Sequence, residues 1–417
     1  MSTGVSDLNG LFKEAYGDDL IDLIPEAAML AKKIKFVSSE KQDGNKYNQP
    51  VILADEQGVT YAAPDSGAFA LEDAVPMTTK NASLQGISML IRSALDYEAA
   101  AKASNSKKAF VKATQLILEN MSKSIYKRLE VCLMHGRKGL GLTSAVTASS
   151  ATVSIVQITT GTWATGIWAG STGAKLNFYN GVTLISSGVD SIFSVTAVNT
   201  ALRQITVTGT STGSTALVAA TATPLDAYYK GTFGVEAHGL RAILQNTGSL
   251  FGIDAAIYDL WKGNSVAVSG AMTFAKLLNS LTPAVQRGLD EDVCVLVNPA
   301  TFQNLANDIA ALRVFDQSYS SGEAQQGSRS IKFFGQGIVL EISSYNLVKE
   351  GELYMFPPKK CLRIGAQEIS MKTPGRSDEI FLQLPSSAGY EMRMYSNQAL
   401  FLETPARGVY VSGFTNA

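Results

Sequence analysis

Between Thr143 and Tyr229 the chain carries only four charged side chains, Lys175, Asp190, Arg203 and Asp226, in a run dominated by Thr, Ser, Val, Gly and Ala. No other feature of the sequence restricts the fold as tightly. Without charges to form a solvated helical face, the segment reads as short β-prone runs, "TVSIVQI", "AKLNFYN", "GVTLISS", "SIFSVTAV" and "LRQITVTG", separated by Gly/Ser/Asn turns at the spacing of a small sandwich or barrel. Trp163, Trp168, Phe178, Tyr179, Ile192 and Phe193 exclude a disordered linker, which is poor in aromatic and β-branched residues. A separate β-domain is therefore expected over residues 143–230.

Within this segment, Gly209-Thr210-Ser211-Thr212-Gly213 matches G-x-S-x-G, the pattern of a nucleophile elbow, and Asp226 and His238 follow in the order of a hydrolase triad. An elbow needs a helix after the turn. The following "STALVAATATPLD" has β-branched residues and Pro224 in place of a helical stripe, so the pentapeptide is expected to be a loop between strands, with glycines permitting positive φ. "GRKGLG" at 136–141 follows a helix and precedes a β-segment, the reverse of a dinucleotide fingerprint. The acidic pairs Asp18-Asp19, Glu72-Asp73 and Glu291-Asp292 have no EF-hand spacing, and the two histidines, His135 and His238, are far apart. The reading is of a protein that is not an enzyme, with no catalytic residue, no metal site and no cofactor.

The flanks are of a different kind. "SNSKKAFVKATQLILENMSKSIYKRLEVCLMHG", Ser104 to Gly136, predicts one long helix of about eight turns: Phe110, Ala113, Ile117, Met121, Ile125, Leu129 and Cys132 form its apolar stripe and Gly136 its stop. Lys107, Lys108, Lys112, Lys123, Lys127 and Arg128 lie on its polar side, either as a solvated face or as a contact for phosphate or an acidic partner. His135, in the last turn, is accounted for by the helix dipole. Residues 46–77 read as an extended hairpin, with runs Val51–Leu53 and Val59–Ala62 about a Gly58 turn; it has too thin a core to stand alone, so its own domain or another subunit must cover it. The N-terminal Leu8, Leu11, Phe12, Ala15 and Tyr16 form a short amphipathic helix that either covers its own domain or reaches a neighbour. After Tyr229 a mixed α/β region returns: a helix marked by Phe274, Leu277, Leu278, Leu281 and Val285, a buried strand Val293–Val297, and a helix opened by Pro299. "DQSYSSGEAQQGSRS" reads as a mobile loop and residues 338–417 as mostly β, including "YEMRMYS" and "ALFLETP" as separate runs.

With 417 residues the chain can hold two to four domains without staples. Cys132, Cys294 and Cys361 are widely spaced, which suggests a reducing, intracellular place of synthesis. A net charge of -1 offers no global basic field, the N-terminus lacks a secretion signal, and no segment reaches the roughly 18 apolar residues of a membrane span, so a soluble protein is expected.

This order of elements resembles the major capsid proteins of tailed bacteriophages with the Hong Kong 97 type of fold, and "LVNPATFQNLAN" and "NQALFLETPARGVYVSGF" look like that family's axial strand and helix and its closing strands. The resemblance implies an α+β fold with an N-terminal arm at 1–40, an extended hairpin loop at 41–85, a peripheral domain with the spine helix at 86–142, an inserted β-barrel or sandwich at 143–230, an axial domain at 231–345 and a peripheral sheet at 346–417. It implies self-assembly into an icosahedral head shell enclosing double-stranded DNA, built from hexamers and pentamers in the host cytoplasm. Partners would be a scaffolding protein, a portal and a decoration protein, with no membrane. Leu11, Phe12, Tyr16, Val59, Tyr61 and Phe69 become candidate inter-subunit contacts, and Lys112, Lys123 and Lys127 candidates to face DNA or scaffold. An encapsulin-like nanocompartment subunit is the alternative.

Overall fold

The computed structural model describes residues 28–37, 46–65, 67–96, 107–313, 330–335, 337–371, 382–383 and 389–416. The expected arm helix with Leu11, Phe12 and Tyr16, and most of the loop expected to be mobile, lie outside them.

Among the described residues three large sheets and two of two strands accompany one long helix. The first sheet runs β1 (Lys35–Val37), β19 (Cys361–Ser370), β21 (Gly389–Leu402), β20 (Leu382–Gln383), with β4 (Ile87–Asp96) on the other side of β21 in ten consecutive antiparallel pairs. "YEMRMYS" and the "ALFL" of "ALFLETP" are thus parts of one strand of 14 residues, because Asn397 and Gln398 between them continue the pairing with β4 and Asn397 also pairs with β19. The long helix, Lys107–His135, packs across β4 and β21, where Met121, Ile125, Met392 and Met394 form a small buried cluster.

The second sheet has six strands in the order β14 (Asn264–Ala267), β22 (Val409–Ser412), β18 (Glu352–Phe356), β15 (Val293–Val297), β17 (Ile338–Ser344) and β16 (Ser330–Gly335). The helices Phe274–Gln286 and Pro299–Arg313 accompany it, as their apolar spacing and capping predict: Thr273 accepts from the Lys276 N–H, and Pro299 opens the second. The strand "VCVLV" is buried throughout, as a central strand requires. The expected division at residue 346 needs correction: β18 and β22 belong to this six-stranded sheet, and only β19, β20 and β21 join the first.

The third sheet is the charge-poor segment. Antiparallel pairings link β5 (Gly141–Ala148), β6 (Val153–Ile158), β10 (Gln204–Thr208), β9 (Phe193–Asn199), β7 (Lys175–Asn180) and β11 (Asp226–Tyr229), and β11 returns to β5, closing a six-stranded barrel with β8 (Thr183–Leu184) outside β7. Closure leaves these six strands without an open edge, which removes the aggregation hazard of a sheet with few charges to guard it. The barrel has its own sheet but not its own core. Trp163, Trp168, Phe178 and Val207 form one continuous buried cluster with Leu129 and Leu133 of the long helix and Leu347 and Phe401 of the body.

"GTSTG" is a correction of a different kind. Strand β10 runs through it into a helix, Ser211–Ala219, capped by Thr210, whose hydroxyl oxygen accepts from the Gly213 N–H at 3.0 Å. Gly209 and Gly213 are needed for close approach and not for positive φ: a Cβ would lie 2.9 Å from the Phe193 ring and 2.2 Å from the Asp190 carbonyl oxygen. A strand–turn–helix therefore does exist here.

The first described segment is held by opposite charges on its two backbone polarities. Glu130, on the long helix and fully buried, accepts from the N–H groups of Leu30 (3.0 Å) and Ala31 (2.6 Å) and from the Tyr345 hydroxyl (2.5 Å). Arg363 on β19 donates to the carbonyls of Ile34 (3.0 Å) and Ala31 (2.8 Å). Between them they fix the short helix Met29–Lys33 and β1 on the body. Glu130→Ala strands three buried donors, each costing about 1–3 kcal/mol, so the subunit should lose about 3 kcal/mol or more of stability in urea denaturation, and Glu130→Gln clearly less.

Candidate functional site

The hairpin pairs β2 (Tyr47–Ala54) with β3 (Thr78–Leu84), so its strands differ from the expected ones: Val59–Ala62 is not a strand but part of a long tip. The base is fixed by Tyr47, Leu53, Ala82 and Leu84, which are buried, and by the Ser83 N–H donating to the Phe251 carbonyl at 2.8 Å. Beyond Ala54 the paired strands end. The Gln57–Val75 bridge and the Glu72 N–H donating to Thr60 Oγ1 at 2.9 Å keep the two arms of the tip together. Gly58 allows that closeness, since a Cβ there would lie 2.6 Å from the Asp73 carbonyl oxygen, and its φ of +103° favours glycine.

The tip presents apolar side chains to solvent. Tyr61 is 91% exposed and Leu71 79%, with Val59, Phe69, Val75 and Met77 also exposed and Ile52 exposed just below them. These exposed apolar side chains all belong to one stretch of the chain, from Ile52 to Met77. Val59, Tyr61 and Phe69 of the expected contacts are all in it. Ile52, Leu71, Val75 and Met77 are exposed beside them and were not singled out from the sequence, although Leu71 and Val75 stand in the same proline-bounded stretch.

The basic residues of the long helix separate. The Lys112 side chain lies outside the described residues; Lys123 is exposed. Lys127 is turned inward: its ammonium donates to the Ala169 carbonyl in the barrel, and burial, with Arg128 close by, lowers its pKa to about 8. Arg128 lies over the Tyr229 ring, 3.2 Å from its centroid, where the chain leaves the barrel. These two cations fasten helix to barrel.

His135 is not a dipole-stabilised cation. It is buried, its Nε2 donates to the Leu347 carbonyl at 2.9 Å, and burial followed by the nearby Lys349 charge lowers its pKa to about 3, so it is a neutral structural imidazole. The triad letters do not converge either. Ser211 is exposed at the helix start, Asp226 sits beside Gly139 at the barrel entry, and His238 packs edge-on against Phe251 with centroids 5.7 Å apart. Among the described residues no group of three or more His, Cys, Asp or Glu side chains could hold a metal, and no helix is long and apolar enough to cross a membrane.

No family model and no curated protein matches this chain. Solved structures do. The chain of the cyanophage A-1(L) capsid asymmetric unit matches with a TM-score of 0.55 at 12% identity, over 99% of this chain and 99% of that one. The capsid of Myoviridae phage XM1 follows with a TM-score of 0.47 at 8% identity over 96% of each chain, and the holo-SrpI encapsulin complex of Synechococcus elongatus with 0.41 at 8% over 99% and 96%. The first match establishes the fold, a mixed α+β arrangement of the Hong Kong 97 capsid type, here with a β-barrel insertion.

The placement of Lys127 can be checked by thermal denaturation: Lys127→Ala removes its half-buried contact with the barrel and should lower the melting temperature by several degrees.

Proposed function

We propose that the chain is the major capsid protein of a tailed bacteriophage, building an icosahedral head shell around double-stranded DNA. The observation that carries this reading is the apolar hairpin tip: the fold match spans 99% of both chains, and the exposed tip supports a body that is completed by its neighbours. Full burial of one such side chain contributes about 1.5–3 kcal/mol. Several tips closing on neighbours around a ring supply the free energy of assembly, and a subunit that exposes them has reason to assemble.

On this reading the Lys107–His135 helix is the spine and residues 46–84 the extended loop. The first sheet belongs to the peripheral domain, and the six-stranded sheet with its two helices to the axial domain. Hexamers and pentamers, a scaffolding protein, a portal, a decoration protein and assembly in the host cytoplasm belong to the same proposal. Lys123, on the exposed side of the spine, is the residue retained as a candidate to face DNA or scaffold. The alternative, a cellular nanocompartment, would enclose a specific protein cargo in place of nucleic acid.

Expression of the full chain, with and without a scaffolding partner, followed by sedimentation and negative-stain electron microscopy tests the proposal. Closed particles are expected; a strictly monomeric protein under assembly conditions would overturn it. Tyr61→Asp with Leu71→Asp should abolish particles while leaving the subunit's melting temperature within about 2 °C of the parent, since neither side chain packs on the body. Lys123→Glu should reduce genome retention or scaffold dependence, and unchanged assembly and retention would remove that residue from the proposal.

A further inference from the structure

The seam where the chain enters and leaves the barrel holds an unbalanced set of charges. Lys349, on the loop between β17 and β18, is 1% exposed, and its Nζ donates to the Gly139 carbonyl at 2.7 Å, just before β5. The groups facing it come from every element packed there: His135 from the long helix, Asp226 from β11, Arg241 from the Leu240–Leu244 helix and Glu352 from β18, with Lys138 beside Asp226 and Arg241. His135 is neutral, which leaves three cations against two carboxylates. Arg241 cannot give up its proton, and it is committed to Glu352 at 3.1 Å. Lys138 is partly exposed and reaches water. A cleft of about 690 Å³ at this seam is lined by Arg241 and Glu352 but not by Lys349. The surplus charge is therefore on the one cation sealed from solvent, and the set balances when that cation is neutral.

We propose that this seam is a proton-sensitive latch, in which neutral Lys349 lets the barrel close on the body and protonation of Lys349 on acidification loosens it. Burial, reinforced by the Arg241 charge and opposed by Glu352 and Asp226, lowers the Lys349 pKa from the usual lysine range to about 7. For Glu352 burial acts upward, but Arg241 at 3.1 Å and the Tyr354 hydroxyl that donates to it keep the carboxyl ionised when Lys349 is neutral, and a charged Lys349 lowers its pKa further. The unfolded or undocked chain binds a proton at Lys349 up to its ordinary pKa near 10.5, whereas the closed seam releases it near 7. Closure therefore strengthens as pH rises between those values and carries its full penalty below about 7. The latch needs only this chain's own fold and stands whether or not the chain builds shells.

Hydrogen exchange on the full-length chain from pH 6 to 10, normalised to intrinsic rates, tests it directly. The Gly166, Glu350 and Gly351 N–H groups donate across the seam to Asn346, Trp163 and Gly161, whereas the Val207 N–H lies within the barrel ladder. Protection of the three seam amides is expected to rise above pH 7 by up to about tenfold per pH unit, with Val207 changing less. Lys349→Met should flatten the rise. Asp226→Asn, which removes one carboxylate and so lowers the Lys349 pKa further, should move it to lower pH and keeps the test available if the methionine variant does not fold. Coincident profiles for the parent and Lys349→Met, or an Asp226→Asn profile that does not move, would overturn the latch.

Discussion

The body is joined through seven residues, Tyr345–Gly351, each of which binds a different neighbour. Tyr345 reaches Glu130 and with it the N-terminal segment; the Asn346 carbonyl accepts from the barrel at Gly166; the Leu347 carbonyl accepts from His135 on the long helix. The Val348 carbonyl accepts from Asn298 at the end of β15, and Lys349 reaches Gly139. Glu350 takes the Arg203 guanidinium bidentately at 2.9–3.2 Å, and Gly351 meets Gly161 so closely that a Cβ would lie 3.0 Å from its backbone. Leu347 and Val348 fill the common core. A bidentate Arg–carboxylate pair fixes orientation as well as distance. The barrel, helix and six-stranded sheet therefore share one joint, and their relative positions are set by backbone contacts and not by a linker.

How much of this was legible depends on what each element asks of its residues. The long helix and the helices at Phe274 and Pro299 show in the sequence because each buries one face at the helical period, and the strand Val293–Val297 because it is an unbroken apolar run buried on both faces. The barrel shows as a β-module because its composition admits little else. The hairpin's second strand, "TTKNASL", has few β-branched residues and is set by its register against Tyr47–Ala54, while β-prone "VTYA" is left unpaired; propensity pointed to the wrong partner because tertiary context decided it. The helix "STGSTALVA" lacks charges and has a glycine in its first turn, so its one local signal was the capping Thr210.

The joint was not legible at all. "YNLVKEG" has the composition of an exposed turn, and burial of Lys349 follows only from what the fold stacks around it. Among the candidate site residues, the exposure of Val59, Tyr61 and Phe69 was readable, since large apolar residues in a Pro/Gly-rich stretch have nothing of their own to pack on. Lys127 was misread as outward because the sequence cannot reveal that an inserted domain, beginning at Gly141 just after the helix ends at His135, folds back over it.

The ring of the barrel closes where it opened: Ala227 of its last strand pairs with Gly141 of its first. To the body, the whole insertion is a detour that leaves and returns at one point, the arrangement by which a foreign module can enter a gene without disturbing what lies on either side. Yet Trp163 and Trp168, stacked 6.1 Å apart, now belong to the same core as the helix and the body. The detour is thus simple in topology but not in packing: taking the barrel away would uncover the side of Leu129, Leu133, Leu347 and Phe401 that its tryptophans share.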